Sequence, residues 1–67
     1  MNERVERLTL SVPETAKELG VSVKTAYDLV HRADFPTIRI GQRIRINREG
    51  LRKWINANTQ NNNYVED

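Results

Sequence analysis

A mainly α fold with one small β-hairpin is what this 67-residue chain predicts. Three observations carry the expectation. Two short segments with helical spacing of apolar residues are separated by little more than one glycine. Residues 37–46 alternate strictly between apolar and polar on both sides of Gly41-Gln42. A last segment repeats apolar residues at i, i+3 and i+4.

Length allows one domain and not two, because chains below about 70–80 residues rarely build even one generous core. Apolar types make up 37% and charged types 30%, too apolar for outright disorder. No apolar run approaches the ~18 residues that would read as a membrane span. Met1 to Arg7 mixes acids with bases and leads into no apolar stretch, so it does not read as a signal peptide. There is no cysteine, which removes disulfides, thiolate nucleophiles and the common zinc sites. A cytoplasmic protein that folds on packing alone is expected.

Net charge is only +2, but its distribution is uneven. Residues 22–53 hold eight bases against three acids, +5, between ends of −1 and −2. An Arg-enriched stretch suits phosphate, since guanidinium binds its oxygens bidentately. An ordinary solvated face accounts for the charge equally well until the elements are placed.

Leu8-Thr9-Leu10 reads as a short strand or extended lead-in, with Leu8 and Leu10 pointing the same way. Ser11-Val12-Pro13-Glu14 matches a capping box, Ser11 accepting from a first-turn amide while Glu14 reaches back to the amide of Ser11. Pro13 fits the first turn, where its missing amide hydrogen has no helical partner. Val12, Ala16 and Leu19 then share one helix face, and Gly20 stops the helix as its left-handed residue. Ser22 is a second N-cap, opening a helix over residues 23–32. Ser22, Ala26, Leu29 and Val30 cluster on one side of it. Lys24, Tyr27, Asp28 and His31 fall on the other, with Thr25 and Arg32 flanking. Two short helices joined by a glycine turn form a helix-turn-helix. The small, polar start of the second helix could enter a major groove and present side chains to base edges.

Pro36 biases Phe35 toward an extended conformation, and a hairpin follows. A two-residue loop would oppose Ile40 with Arg43 and Ile38 with Arg45, mixing apolar with charged on each face. A three-residue loop, Gly41-Gln42-Arg43, pairs Ile40 with Ile44 and Ile38 with Ile46, and sets Arg39 against Arg45 on the outside. The pattern favours the second. Two outward arginines and a third at the tip make a site for nucleic-acid backbone, including a narrow minor groove. The plainer alternative is an edge hairpin using charge against aggregation.

Asn47 caps a last helix over residues 48–57, with Leu51, Trp54 and Ile55 as its stripe and Glu49–Lys53 as an exposed pair. Gly50 weakens it. Phe35 and Trp54 are core anchors. These elements make residues 8–57 one domain; residues 58–67, with Asn61-Asn62-Asn63, are expected to be a disordered polar tail.

Enzymatic chemistry finds little support. His31 is the single histidine, no motif pairs carboxylates, and three scattered glycines form no phosphate loop. No metal or cofactor is expected. The run from Ser11 to Ser22, then Thr25-Ala26-Tyr27, Phe35-Pro36, Ile40 to Ile46, Leu51 and Trp54-Ile55 resembles the excisionase-type family of MerR-like winged helix-turn-helix DNA-binding domains. The resemblance covers residues 8–57, and its ordered combination is specific where each fragment alone would be weak. It departs from the family at Gly50, where an acidic residue is more usual.

The resemblance implies a helix-turn-helix, a two-stranded wing over residues 37–46 and a closing helix, with residues 22–32 as the recognition helix. It implies an excisionase, or recombination directionality factor, of a mobile element. Such proteins bind repeated sites beside the attachment site, bend the DNA and bias an integrase, here of the tyrosine type, toward excision. Lys24, Thr25 and Asp28 are then expected at major-groove base edges, with Ser22 and Tyr27 at phosphate or rim and His31 either solvated or touching the DNA backbone. Asp28 has a second use, an ion pair with Lys24. Arg39, Gln42, Arg43 and Arg45 are expected at the adjacent minor groove and its phosphates. So few contacts imply a monomer in solution that assembles cooperatively on tandem double-stranded sites. The tail could offer an integrase only Tyr64-Val65 and is expected to be passive. A small transcriptional regulator using the same surface is the nearer alternative, and a protein–protein adaptor the farther.

Overall fold

Hydrogen bonds at the start of the first helix take the form the sequence predicts. The Ser11 hydroxyl accepts from the Glu14 amide (3.1 Å) and the Ser11 amide donates to the Glu14 carboxylate (2.9 Å). The computed structural model describes residues 7–59. In chain order its elements are β1 (Thr9–Leu10), α1 (Val12–Leu19), α2 (Val23–Val30), β2 (Thr37–Ile40), β3 (Arg43–Asn47) and α3 (Arg48–Asn58).

Gly20 closes α1 at φ +73°, where a residue with a Cβ would be strained. Its amide and that of Val21 satisfy the carbonyls of Lys17 and Ala16, so the chain turns sharply into the Ser22 cap. α2 ends two residues earlier than the sequence pattern predicts. His31 caps it, its ring Nδ1 donating to the Tyr27 carbonyl oxygen (2.8 Å). Arg32 is already in the following loop.

β1 pairs antiparallel with β3, and β3 with β2, giving the order β1-β3-β2. Three helices on this small antiparallel sheet form a winged helix-turn-helix. Leu10, Val12, Ala16, Ala26, Val30, Phe35, Ile46 and Leu51 make the core, with Leu19, Leu29, Ile44 and Trp54 packed around it. Thr15 is fully buried as well, its hydroxyl donating to the Ser11 carbonyl (2.9 Å) so that no polar atom is stranded. Leu8 lies outside β1 and is exposed, unlike Leu10.

The hairpin register differs from the expected one. Ile40 opposes Arg43, Arg39 opposes Ile44, Ile38 opposes Arg45 and Thr37 opposes Ile46, across a two-residue Gly41-Gln42 loop. Turn chemistry overrides face matching. Gly41 has φ +63° and Gln42 does not have positive φ, which suits a loop with glycine at its first central position. A three-residue loop would require the left-handed residue at its end, where Arg43 stands. Arg39 and Arg45 therefore lie on opposite faces and do not oppose each other. Ile38 and Ile40 stay about half exposed, at 47% and 53%, instead of joining Ile44 and Ile46.

α3 runs one residue beyond its expected end, with the Asn58 side chain donating back to the Trp54 carbonyl oxygen (2.8 Å). The disorder expected further along, including Tyr64-Val65, falls outside the described residues. Glu49 meets Arg52 (3.9 Å), one position before the expected Lys53. Ile55 is exposed, so the apolar stripe narrows to Leu51 and Trp54. Gly50, read from sequence as a weakness, has a packing reason. A Cβ there would lie 2.7 Å from the Pro36 Cβ.

Candidate nucleic-acid interface

The glycine turn and the Ser22 cap fix how α2 is presented. The Ser22 hydroxyl accepts from the Thr25 amide (3.1 Å) and donates to Thr25 Oγ1 (3.0 Å). With that oxygen already accepting, the Thr25 hydroxyl proton is left to donate outward. Ala26 and Val30 anchor the buried side of the helix, which leaves Lys24, Tyr27, Asp28 and His31 exposed on the other.

Lys24 Nζ and Asp28 Oδ2 are 3.8 Å apart, both side chains well exposed. Such a pair contributes about 0.3–0.5 kcal/mol and yields readily to a stronger partner. The Tyr27 carbonyl only accepts, so His31 Nδ1 carries a proton and Nε2 is the ring atom left for a ligand.

Tyr27 connects the helix to the hairpin. An open cleft of about 340 Å³ is lined by Ser11, Val12 and Pro13 at the start of α1, by Tyr27, and by Gln42, Arg43, Ile44 and Arg45. Four of the residues singled out in the sequence thus share one concave surface. Arg45 is partly committed: Nε donates to Thr9 Oγ1 (3.1 Å) and Nη2 to the Thr9 carbonyl oxygen (3.3 Å), which ties β3 to β1. The Glu14 carboxyl is held below its ordinary pKa, first by the Ser11 amide and to a lesser degree by Arg7 and Arg45. Arg39 does not line this cleft; it stands on the edge strand opposite Ile44, on the other face of the hairpin from Arg43 and Arg45.

Reasoning from sequence missed how the hairpin is braced behind this surface. Asp34 accepts from Arg32 Nε (2.9 Å) and Nη2 (3.1 Å) and from the Trp54 indole Nε1 (3.1 Å). These donors, Arg32 foremost, lower the Asp34 pKa to about 2. Trp54 packs edge-on against Phe35 with ring centroids 4.9 Å apart. Arg32-x-Asp34 is a visible local pair; that α3 brings an indole to it, 20 residues later, is not. Thr9 as the partner of Arg45 is equally invisible, because β1 pairing cannot be read from two residues.

A family model described as a helix-turn-helix domain matches residues 9–59, most of the chain. The chain belongs to the helix-turn-helix domain family. Comparison with curated proteins and with solved structures finds no match. For a helix-turn-helix domain with an exposed, capped second helix and a basic hairpin, the supported activity is binding of double-stranded DNA. No described helix is long and apolar enough to cross a membrane.

Proposed function

We propose that this helix-turn-helix protein is an excisionase of a mobile element, binding specific sites beside the attachment site and bending the DNA there. The observation carrying the reading is the cleft shared by Tyr27 and the hairpin residues Gln42, Arg43 and Arg45. One curved surface joining helix and hairpin fits a duplex, with α2 in the major groove and the hairpin tip at the neighbouring minor groove. Lys24, Thr25 and Asp28 face base edges in this arrangement, Asp28 exchanging Lys24 for a cytosine amino group. Ser22, Tyr27 and His31 meet phosphates at the rim. Gln42 and Arg43 enter the minor groove, while Arg45 uses the face of its guanidinium not bound to Thr9. Arg39, on the edge strand and outside the cleft, contributes long-range attraction.

Arg43→Ala is expected to lower affinity and flatten the slope of log K against log salt by about one counterion. An unchanged slope and affinity would remove the hairpin from the interface. Copies are expected to add cooperatively on tandem sites, with each monomer binding weakly. Excision by a cognate tyrosine-type integrase in the presence of this chain separates the excisionase from a transcriptional regulator with the same surface. DNA binding without any stimulation of excision would favour the regulator.

A further inference from the structure

Val23 is the first residue of α2, and it is 44% exposed although its neighbours Ala26 and Val30 are buried. Val21, in the glycine turn, is 37% exposed. Together with Pro13, Glu14, Ala16 and Lys17 they line an open groove of about 350 Å³ between α1 and the start of α2. A single exposed valine needs no explanation. Val23 at the start of α2, Val21 in the turn and Pro13 of α1 lining one groove are a different matter. Core packing does not account for them, because Pro13, Val21 and Val23 are not among the buried residues of the core, of which only Ala16 lines the groove.

We infer that the Pro13–Val21–Val23 groove receives the 5-methyl group of a thymine in the major groove. The inference deepens the DNA-binding reading and rests on it. A thymine methyl is the one apolar feature on the major-groove edge of any base pair. Val23 lies between Ser22 and Lys24 in the chain and one turn before Tyr27 on the same side of α2, so a base met there lies near the bases that these side chains meet. Its flanks are charged to suit a duplex, with Lys17 on the α1 side and Lys24 one residue beyond Val23. Glu14 is the one acid along it, and its carboxylate is turned back onto the Ser11 amide (2.9 Å). Val23 supplies the closest contact, because it projects from the recognition helix itself; Val21 and Pro13 form the wall behind it.

Replacing thymidine by deoxyuridine removes only the methyl group and tests this without altering the protein. Duplexes enriched by the full chain from a random-sequence pool would be resynthesised with uracil at each thymine in turn. One position is expected to lose affinity about three- to fivefold, the worth of one buried methyl. Val23→Ala should bring thymine and uracil at that position to equal affinity. Lys24→Ala should weaken both equally and preserve their ratio. Uracil tolerated at every position would overturn the inference while leaving DNA binding intact. So would a thymine preference that survives Val23→Ala. If no sequence is enriched from the pool, the DNA-binding reading itself fails, a separate outcome.

Discussion

β2 and β3 carry nearly the same sequence and meet opposite fates. Thr37-Ile38-Arg39-Ile40 and Arg43-Ile44-Arg45-Ile46 alternate identically, yet every residue of β2 is exposed while Ile46 in β3 is fully buried. The difference lies in their neighbours. β3 is central, paired on both sides, and its Ile46 opposes Leu10 of β1 over the core. β2 is an edge, held to the body through its entry loop and to β3 by backbone pairing. Alternation specifies a strand, but only the flanking elements specify which of its faces is wanted.

Breaking this contrast should produce its largest effect at Ile46. Ile46→Ala is expected to cost about 2–5 kcal/mol. A domain this small rarely holds more than about 3–5 kcal/mol from its core, so urea or thermal melts should show most of the fold lost. A loss below about 1 kcal/mol would mean that β3 does not carry the core.

Gly50→Ala tests how β2 is anchored at its start. In an ordinary helix interior this change stabilises by about 1 kcal/mol. Here the new Cβ would lie 2.7 Å from the Pro36 Cβ and 3.1 Å from Asn47 Oδ1, so a net loss of about 1–3 kcal/mol is expected. A rise in Tm would contradict the close approach of α3 to the strand entry. At the other end of β2, Gly41→Ala should cost about 1–2 kcal/mol, because φ +63° is strained for any side chain. Indifference to this change would reopen the three-residue loop.

The entry loop also has a pH signature. Asp34 has its pKa lowered from 3.8 to about 2, so its charged form is favoured by folding. The stabilisation is present in full above about pH 4 and fades as pH falls toward 2. Wild-type and Asp34→Asn urea midpoints should therefore differ at pH 5 and converge by pH 2. The smallest effect is expected at Ile38, where Ile38→Thr should change stability by no more than about 0.5 kcal/mol. A double-mutant cycle between Ile38 and Ile46 should give no coupling; a coupling typical of opposed cross-strand residues would restore the register that face matching favours.

The helix-turn-helix was legible almost residue by residue. Ser11, Glu14, Gly20 and Ser22 act within four residues of their own positions, through caps and a left-handed turn that depend on local chemistry. The exposed side of α2 followed from the same local periodicity, so Lys24, Tyr27, Asp28 and His31 could be named in advance. The hairpin was legible as a hairpin and misread in register, because a preference for matched faces was set above the demand of Gly41 for the first loop position. Asp34, Thr9 and Val23 were not legible as parts of anything. Their roles depend on Trp54, Arg45 and Pro13, which reach them from other elements.

The amino-acid sequence by itself determined where helices start and stop, that residues 37–46 turn back on themselves, and that positive charge concentrates in residues 22–53. Those features are set within a few residues by caps, glycine and alternation. Only the tertiary structure decided which isoleucines are buried, which arginines share a face, and which side chains meet between α1, α2 and the hairpin. Each of these depends on pairing partners as distant as β1 and β3, whose packing fixes one face inward and so sends every alternate residue out.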